Sequence, residues 1–291
     1  MKKIKKKRMV GISVITVLLL VIGWIVWTNV TITTTHLTIT NEKIPEDFSG
    51  YKIAEIADLH NHQWGNKLMS RLKKEHPDII VITGDFVDSS HTNFDVSMEF
   101  IEQAKEIAPI YYVTGNHEAW LENYMELEKR LVDSGVHMMD DKSEWLEKGN
   151  GKINLIGIQD PDFVERDTFD GIQESIITTK LTPLLNHDYY NIVLCHRPEL
   201  LDGYAEAGAD LVITGHAHGG QVRIPFIGGL VAPNQGLFPE YTEGVYHKDE
   251  TDMVVSRGLG NSIIPVRINN TPELVMITLE NESEFIAEGR A

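Results

Sequence analysis

Apolar and polar positions divide the central part of the chain into two alternating kinds of segment. Amphipathic segments bounded by proline or glycine, which predict helices, cover residues 66–75, 92–107, 121–135 and 198–209. Short apolar runs rich in β-branched residues predict strands. These runs cover residues 51–57, 79–83, 110–114, 153–158, 191–195 and 211–214. The alternation predicts an α/β fold with substantially parallel strands.

The pattern changes after residue 219, where glycine, proline and short strand-like runs replace the helical segments. Such runs occur at residues 243–247, 252–256 and 273–279, and an alternating run at 36–40 is a candidate first strand. Parallel strands need long crossover connections, whereas short connections suit antiparallel pairs. We therefore expect a second, more antiparallel sheet from the last part of the chain.

The N-terminal segment has a pattern of its own. Six of residues 2–8 are Lys or Arg, and the next 19 residues carry no charge. A helix of that length spans about 28 Å, enough to cross a hydrocarbon core. Trp24 and Trp27 lie at its far end, where indole rings favour the membrane interface. The predicted divisions are a basic cytoplasmic tail at 1–8, a transmembrane anchor at 9–27, a linker at 28–35 and one domain at 36–291.

The basic tail also predicts the orientation of the anchor. The first basic residue after the span is Lys43, so the positive-inside rule places the N-terminus in the cytoplasm and the domain outside the cell membrane. A cleaved signal peptide is the alternative. Its apolar core usually has about 7–15 residues and ends at a small-residue site, which the sequence WTNVTITTT lacks. The sequence leaves open whether the helix is cleaved.

Composition and charge narrow the class of protein. The chain has 291 residues, with 43 Asp and Glu against 26 Lys and Arg, and a formal net charge of −17. Such a chain repels phosphate backbones, so we expect no nucleic-acid partner. The single cysteine, Cys195, excludes an intramolecular disulfide framework, and strand alternation predicts that its thiol packs in the core. No obligate protein partner is evident, and the oligomeric state is left open.

Polar residues directly follow five of the predicted strands. Because the carboxyl ends of parallel strands meet at one edge of a sheet, we expect these residues to lie together. Burying three oxygen donors and four imidazoles without a metal would leave several unpaired, at about 1–3 kcal/mol each. The seven residues are Asp58, His60, Asp85, Asn116, His196, His216 and His218.

Spacing and ligand type favour a metal centre at this edge. In Asp58-x-His60 and His216-x-His218, both side chains of each pair point to the same side of an extended chain. Nitrogen and oxygen ligands without sulfur suit Mn²⁺, Fe²⁺ or Zn²⁺. Seven ligands are too many for one such ion that also keeps a water. We therefore expect two divalent metal ions, an arrangement used to hydrolyse phosphate esters.

In this order along the chain, the motifs resemble those of the calcineurin-like metallophosphoesterase superfamily, over residues 50–280. The resemblance implies a four-layer α-β-β-α sandwich, two mixed sheets flanked by helices, with a dinuclear site between the sheet ends. It also implies that His117 is the catalytic histidine and Asp88 the carboxylate that orients it, whereas Glu118 is as readily structural. Of the implied ligands, Asp58, His60, Asp85 and His218 would hold one ion, and Asp85, Asn116, His196 and His216 the other.

The motifs GHAHGGQ at 215–221 and SRGLGNSIIPVRI at 256–268 further resemble a bacterial, membrane-associated subgroup. We expect a membrane-anchored hydrolase of phosphodiester or phosphomonoester bonds that uses metal-activated hydroxide. Of these two activities, we favour phosphodiesterase. Phospholipids and lipid-linked sugar phosphates are candidate substrates. The alternatives are a non-catalytic cell-envelope-binding module and a protein or nucleotide phosphatase. The sequence leaves the physiological substrate and the metal identity open.

Three further residues are candidates for substrate binding. Arg257 and Arg267 lie in an acidic domain, and arginine binds phosphate in a bidentate manner; the alternative is a surface ion pair. His62 follows His60 by two residues, and its alternative is a solvated loop histidine. Residues 223–238 are apolar and rich in Gly and Pro, which suits an acyl groove, contact with the membrane, or core packing.

Overall fold

In the computed structural model, two six-stranded sheets pack face to face, and helices cover the outer face of each. The structure describes residues 2–164, 170–261 and 265–283. The helices are α1 (Lys2–Val30), α2 (Asn66–Glu75), α3 (Phe94–Ala104), α4 (Asn116–Ala119), α5 (Tyr124–Asp133), α6 (Asp170–Leu181) and α7 (Leu201–Ala207). The strands are β1 (Thr33–Asn41), β2 (Tyr51–Ile56), β3 (Ile79–Thr83), β4 (Ile110–Val113), β5 (His137–Met138), β6 (Lys142–Lys148), β7 (Gly151–Gly157), β8 (Tyr190–Leu194), β9 (Leu211–Thr214), β10 (Arg223–Ile224), β11 (Gly228–Gly229), β12 (Val231–Ala232), β13 (Gly236–Leu237), β14 (Gly244–Lys248), β15 (Thr251–Val255) and β16 (Glu273–Asn281).

Both large sheets are mixed, as the four-layer prediction requires. The strand order is β1-β16-β2-β3-β4-β5 in the first sheet and β14-β15-β9-β8-β7-β6 in the second. The central strands β2, β3 and β4 are parallel, and so are β7, β8 and β9. Each sheet therefore collects the carboxyl ends of its central strands at one edge.

Strand β3 illustrates why the central runs are apolar at every position. Ile80 and Ile82 pack in the layer shared with α2, α3 and α5, whereas Ile79 and Val81 pack between the two sheets. Successive side chains of a strand point to opposite faces, and both faces of this sheet are covered. A third apolar layer, between the second sheet and helices α6 and α7, contains Cys195 as a buried thiol, as its position predicts.

The C-terminal strands do not form a sheet of their own, and this expectation from the sequence was wrong. Strand β16 inserts between β1 and β2 of the first sheet. Strands β14 and β15 extend the second sheet beside β9. Periodicity identifies a buried strand but carries no information about its pairing partner, which long-range packing decides.

Helix α1 is longer than the predicted anchor. It continues to Val30 and β1 begins at Thr33, so the linker predicted over 28–35 is reduced to residues 31 and 32. Long-range hydrogen bonds account for the difference, because the Asn29 amide bonds in both directions to the backbone of Arg267. The segment Met9–Val30 is long and apolar enough to cross a membrane, and most of its side chains are exposed.

Candidate metal centre

The strand-end turns of both sheets meet at one edge and bring the seven predicted ligands into one buried cluster. Asp58 and His60 follow β2, Asp85 follows β3, and Asn116 begins α4 after β4. The other three histidines follow β8 and β9. Three groups of residues have ligand atoms that all lie within 4.8 Å of one another, and Asp85 belongs to the first and the second. The first group is Asp58, His60, Asp85 and His218, the second is Asp85, His196 and His216, and the third is His60, Asp88 and His117.

Unusual backbone conformations hold these side chains. Five of the cluster residues have φ between 46° and 64°, in the left-handed region that costs a residue with a side chain about 1–2 kcal/mol. Two glycines allow the close approach of the two sheets. A Cβ at Gly84 would lie 2.6 Å from His196 Nδ1, and one at Gly115 would lie 2.4 Å from Asp85 Oδ1. The five residues are Asp58, His60, Asp85, His216 and His218.

Imidazole nitrogens in the cluster face one another in pairs. His60 Nε2 lies 3.2 Å from His218 Nε2, and His196 Nε2 lies 3.0 Å from His216 Nδ1. Burial lowers the pKa of His60 to about 3 and holds the pKa values of His216 and His218 well below their usual range. Burial also disfavours charge on His196, but the carboxylates of Asp85, Asp58 and Asp160 together outweigh burial and raise the pKa of His196 to about 10.

This donor set fits divalent cations. Neutral imidazoles are the form that ligates a metal, and nitrogens that face each other cannot all be satisfied by hydrogen bonds between themselves. His60 Nδ1 is buried without a hydrogen-bond partner. Burial raises the pKa of Asp58 to about 7, which marks a carboxylate with too little positive charge around it. Bound cations would supply that charge.

Glu118, whose role was left open above, connects two of the three ligand-bearing turns of the first sheet, those after β3 and β4. Its Oε2 accepts hydrogen bonds from the backbone N–H groups of Asp85 at 2.9 Å and Gly115 at 2.7 Å. Its Oε1 accepts from those of Phe86 at 2.9 Å and Val87 at 3.2 Å. The carboxylate is fully buried, so Glu118 positions the backbone that carries Asp85 and Asn116.

His117 lies beside the cluster. The resemblance implied that Asp88 orients His117, but in the described part of the chain the hydrogen bonds to the His117 ring come from Ser89. The Ser89 backbone N–H donates to His117 Nδ1 at 3.1 Å, and the Ser89 hydroxyl lies 3.2 Å from the same atom. Asp88 instead accepts from the N–H groups of Ser90 and His91 and caps the loop. A nitrogen that accepts from an N–H carries no proton, so the ring proton of neutral His117 is on Nε2.

A buried ion-pair network that the sequence reasoning missed lies next to the second group. Arg197 Nε and Nη2 donate to the two carboxylate oxygens of Asp160 at 2.8 and 2.9 Å, and Nη2 also pairs with Asp162. Glu199 Oε1 lies 3.7 Å from His216 Nε2. The position of Arg197 directly after His196 was the available signal. A cavity of about 140 Å³ opens here, and Asn116, His117, Trp120 and Arg197 are among its lining residues.

The three candidate substrate-binding residues have different surroundings. Arg267 is fully buried, donates to the Gly260 carbonyl oxygen at 2.6 Å, and has Nη2 3.4 Å from His218 Nδ1. Arg257 pairs with Glu273 at 2.9 Å and with Glu243 at 3.3 Å, which matches the ion-pair alternative.

His62 packs against Trp64, with ring centroids 4.5 Å apart, and lines a separate cavity of about 340 Å³ beside α2 and α3. Contact of any of the three with substrate stays a prediction.

Most of residues 223–238 do not pack in the core, so that alternative was wrong for the segment as a whole; the exception is Ala232, which is buried in the third apolar layer. They form two short hairpins, β10 with β11 and β12 with β13, and four large apolar side chains are exposed there. Asn234 points back to the cluster, with Oδ1 3.2 Å from His216 Nε2. The apolar composition predicted burial. Each strand of the two hairpins is only two residues long, and no other element of the described chain covers their exposed apolar side chains.

The two-sheet sandwich and the clustered Asp and His residues at its strand ends are consistent with a divalent metal site of the dinuclear kind. The family model described as calcineurin-like phosphoesterase matches residues 51–220, and the chain belongs to this family.

Among curated relatives, the metallophosphoesterase YkuE of Bacillus subtilis is 27% identical over 259 residues, covering 86% of each chain. The phosphodiesterase YaeI of Escherichia coli is 26% identical over 238 residues, covering 79% of this chain and 82% of that one. Among solved structures, TT1561 of Thermus thermophilus aligns with a TM-score of 0.45 and 12% identity, over 72% of this chain and 90% of that chain.

Proposed function

We propose that this chain is a dinuclear, metal-dependent phosphodiesterase held at the cell membrane by α1. The observation that carries the proposal is the pair of buried ligand groups that share Asp85 at the meeting edge of two sheets. Family membership supports a metal-dependent phosphoester hydrolase, and the relative YaeI is named a phosphodiesterase.

The proposed ligands are divided between two divalent ions. The first group would hold one ion, and the second group would hold the other together with Asn116, whose Oδ1 lies 3.2 Å from His196 Nε2. Asp85 would serve both ions, because it is common to these two groups. Nitrogen and oxygen donors suit Mn²⁺, Fe²⁺ or Zn²⁺, and metal supply decides among them.

The chemistry divides between the ions and the chain. When bound, two divalent cations lower the pKa of water and offset negative charge on the phosphoryl group. His117, with its proton on Nε2, donates that proton to the leaving oxygen of the ester. Ser89 keeps the proton there by donating its N–H to Nδ1. Asn116 lines the same cavity, and its amide nitrogen is a donor for a phosphoryl oxygen.

The membrane part of the proposal rests on the segment Met9–Val30 and on the charge of the sequence around it. With the basic tail in the cytoplasm, the domain lies outside the cell membrane. An anchor that ends two residues before β1 keeps the domain against the bilayer, which favours phospholipids or lipid-linked sugar phosphates as substrates. Protease added to intact cells should remove the domain, and full protection would contradict this orientation.

The test of the activity uses the purified full chain in detergent with bis(p-nitrophenyl) phosphate and Mn²⁺. We expect turnover that His117→Ala abolishes while metal content stays the same, because the proposed role of His117 is proton transfer and the proposed ligands of the two ions do not include it. His247→Ala, at an exposed histidine paired with Asp252, is the matched control and should keep full activity. A metal-loaded chain with no turnover would favour the non-catalytic binding module instead.

A further inference from the structure

The two hairpins at residues 223–238, which we call the apolar wing, expose large hydrophobic side chains at their ends. Phe226 is fully exposed, and Ile227, Leu237 and Phe238 are 61–70% exposed. No charged residue occurs between Ile224 and Pro239, in a chain in which 24% of residues are charged. Grouped exposed apolar side chains are uncommon on soluble surfaces and mark contact sites.

The backbone conformation of the wing does not account for large aromatic residues at its turns. Phe226 and Phe238 have φ of 68° and 56°, a region that favours glycine or asparagine in turns. Within the described chain Phe226 is fully exposed and Phe238 is 61% exposed, so packing there covers little of either ring. Both rings are therefore available for contact with another phase or molecule.

The wing is joined to the end of the membrane helix by one short segment. Val222 bridges to Ile268, and the N–H of Arg223 donates to the Ile268 carbonyl oxygen at 3.0 Å. The neighbouring residue Arg267 is bonded through its backbone to Asn29 in the last turn of α1. The wing, the segment around Ile268 and the end of α1 therefore lie side by side, and Val30 and Ile268 are themselves half-exposed.

Positive charge also lies at the end of α1. Lys67, Arg71 and Lys74 of α2 line a cleft of about 520 Å³ together with Val30 and Ile32. Lys67 Nζ donates to the Val30 carbonyl oxygen at 3.0 Å. These cations therefore lie at the end of α1, where the proposed membrane helix would leave the bilayer. Cations at this depth complement the phosphates of lipid headgroups, whereas the chain as a whole is strongly acidic.

We propose that the apolar wing inserts Phe226, Ile227, Leu237 and Phe238 into the interfacial region of the bilayer that α1 spans, with the α2 cations on the headgroups beside it. The inference rests on the proposed membrane anchoring and extends it. Asn234 lies in the wing and 3.2 Å from His216, so insertion brings the candidate metal centre to the membrane surface. The matching substrate class is a phosphoester of an amphiphile whose acyl chains remain in the bilayer.

The test places a polarity-sensitive fluorophore on the wing of the full chain, reconstituted in vesicles of phosphatidylcholine and phosphatidylglycerol. Phe226→Cys and Leu237→Cys are labelled separately, since the native Cys195 is buried. Glu147→Cys is the matched control, on the exposed edge strand β6 beside the start of β7, away from the strand ends that form the centre. Spin-labelled lipids with the label near the headgroup then quench probes that enter the interface.

We expect quenching at positions 226 and 237 to exceed that at 147 by about twofold or more, because only the interfacial probes meet the spin labels. Equal quenching at all three positions would overturn the inference. Blue-shifted emission without quenching by lipid would also overturn it, since the wing would then be covered by protein. The measurement needs no turnover, so failure of diester hydrolysis would remove the proposed activity and leave this result standing. A chain that does not float with vesicles would overturn the anchoring and this inference together.

Discussion

Glu118→Gln should damage the protein as severely as loss of a metal ligand, although Glu118 is not in any of the ligand groups. Each carboxylate oxygen of Glu118 accepts two backbone N–H groups, those of Asp85 and Gly115 on one oxygen and those of Phe86 and Val87 on the other. An amide NH₂ in place of either oxygen faces two donors and satisfies neither. Either orientation of the glutamine therefore loses two of the four bonds.

The size of the effect follows from these bonds. A hydrogen bond to a charged group contributes about 1.5–3 kcal/mol, so losing two costs about 3–6 kcal/mol. Burial and the nearby Asp85 charge raise the pKa of Glu118, and removing its charge recovers part of that cost. We expect a net loss of about 2–4 kcal/mol, which for a domain of this size lowers Tm by roughly 5–15 °C. The turns that carry Asp85 and Asn116 should loosen, and metal content should fall with them.

The assay combines thermal unfolding followed by circular dichroism with elemental analysis of the purified full chain. Glu122→Gln is the matched control, because Glu122 is exposed and only four residues away. It should leave Tm and metal content unchanged. If Glu118→Gln also kept Tm within about 2 °C of the parent chain and kept its metal, the argument that this carboxylate holds the two turns together would be refuted.

Two further outcomes are expected. Asp85→Asn should lower metal content from about two ions per chain to below one, because Asp85 belongs to the first and the second group; a larger loss in Asp58→Asn, measured by the same elemental analysis, would refute the shared role. Burial raises the pKa of Asp140 to about 6, so the folded state binds this proton more tightly than the unfolded state and loses up to about 3 kcal/mol of stability as pH rises from 4 to 7. Asp140→Asn should therefore melt a few degrees higher than the parent chain at pH 7.5, with the difference shrinking by pH 5, and a pH-independent difference would contradict the assignment.

The sequence alone was sufficient to predict where the central strands end and which metal-ligating residues follow them. Apolar runs such as Ile79–Thr83 are buried on both faces, and polar residues directly after such runs must lie at the carboxyl edge of a parallel sheet. That local rule brings Asp58 and Asp85 together at one edge of the first sheet, and His196 and His216 together at one edge of the second. The rule needed no knowledge of which strand pairs with which, but the contact between Asp58 and His216 depends on how the two sheets pack.

Only the tertiary structure decided matters that depend on partners distant in sequence. Strand β16 enters the first sheet, and Asn29 bonds to Arg267, because packing of whole elements selects these contacts and no local pattern encodes them. Ser89 donates to His117, while the Asp88 carboxylate accepts from the backbone of its own loop, because the loop after Asp85 turns back on itself. Residues 223–238 are as apolar as a core segment, yet they are exposed. Apolar side chains are more stable out of water, but the fold determines whether other parts of the protein pack over a segment and bury it.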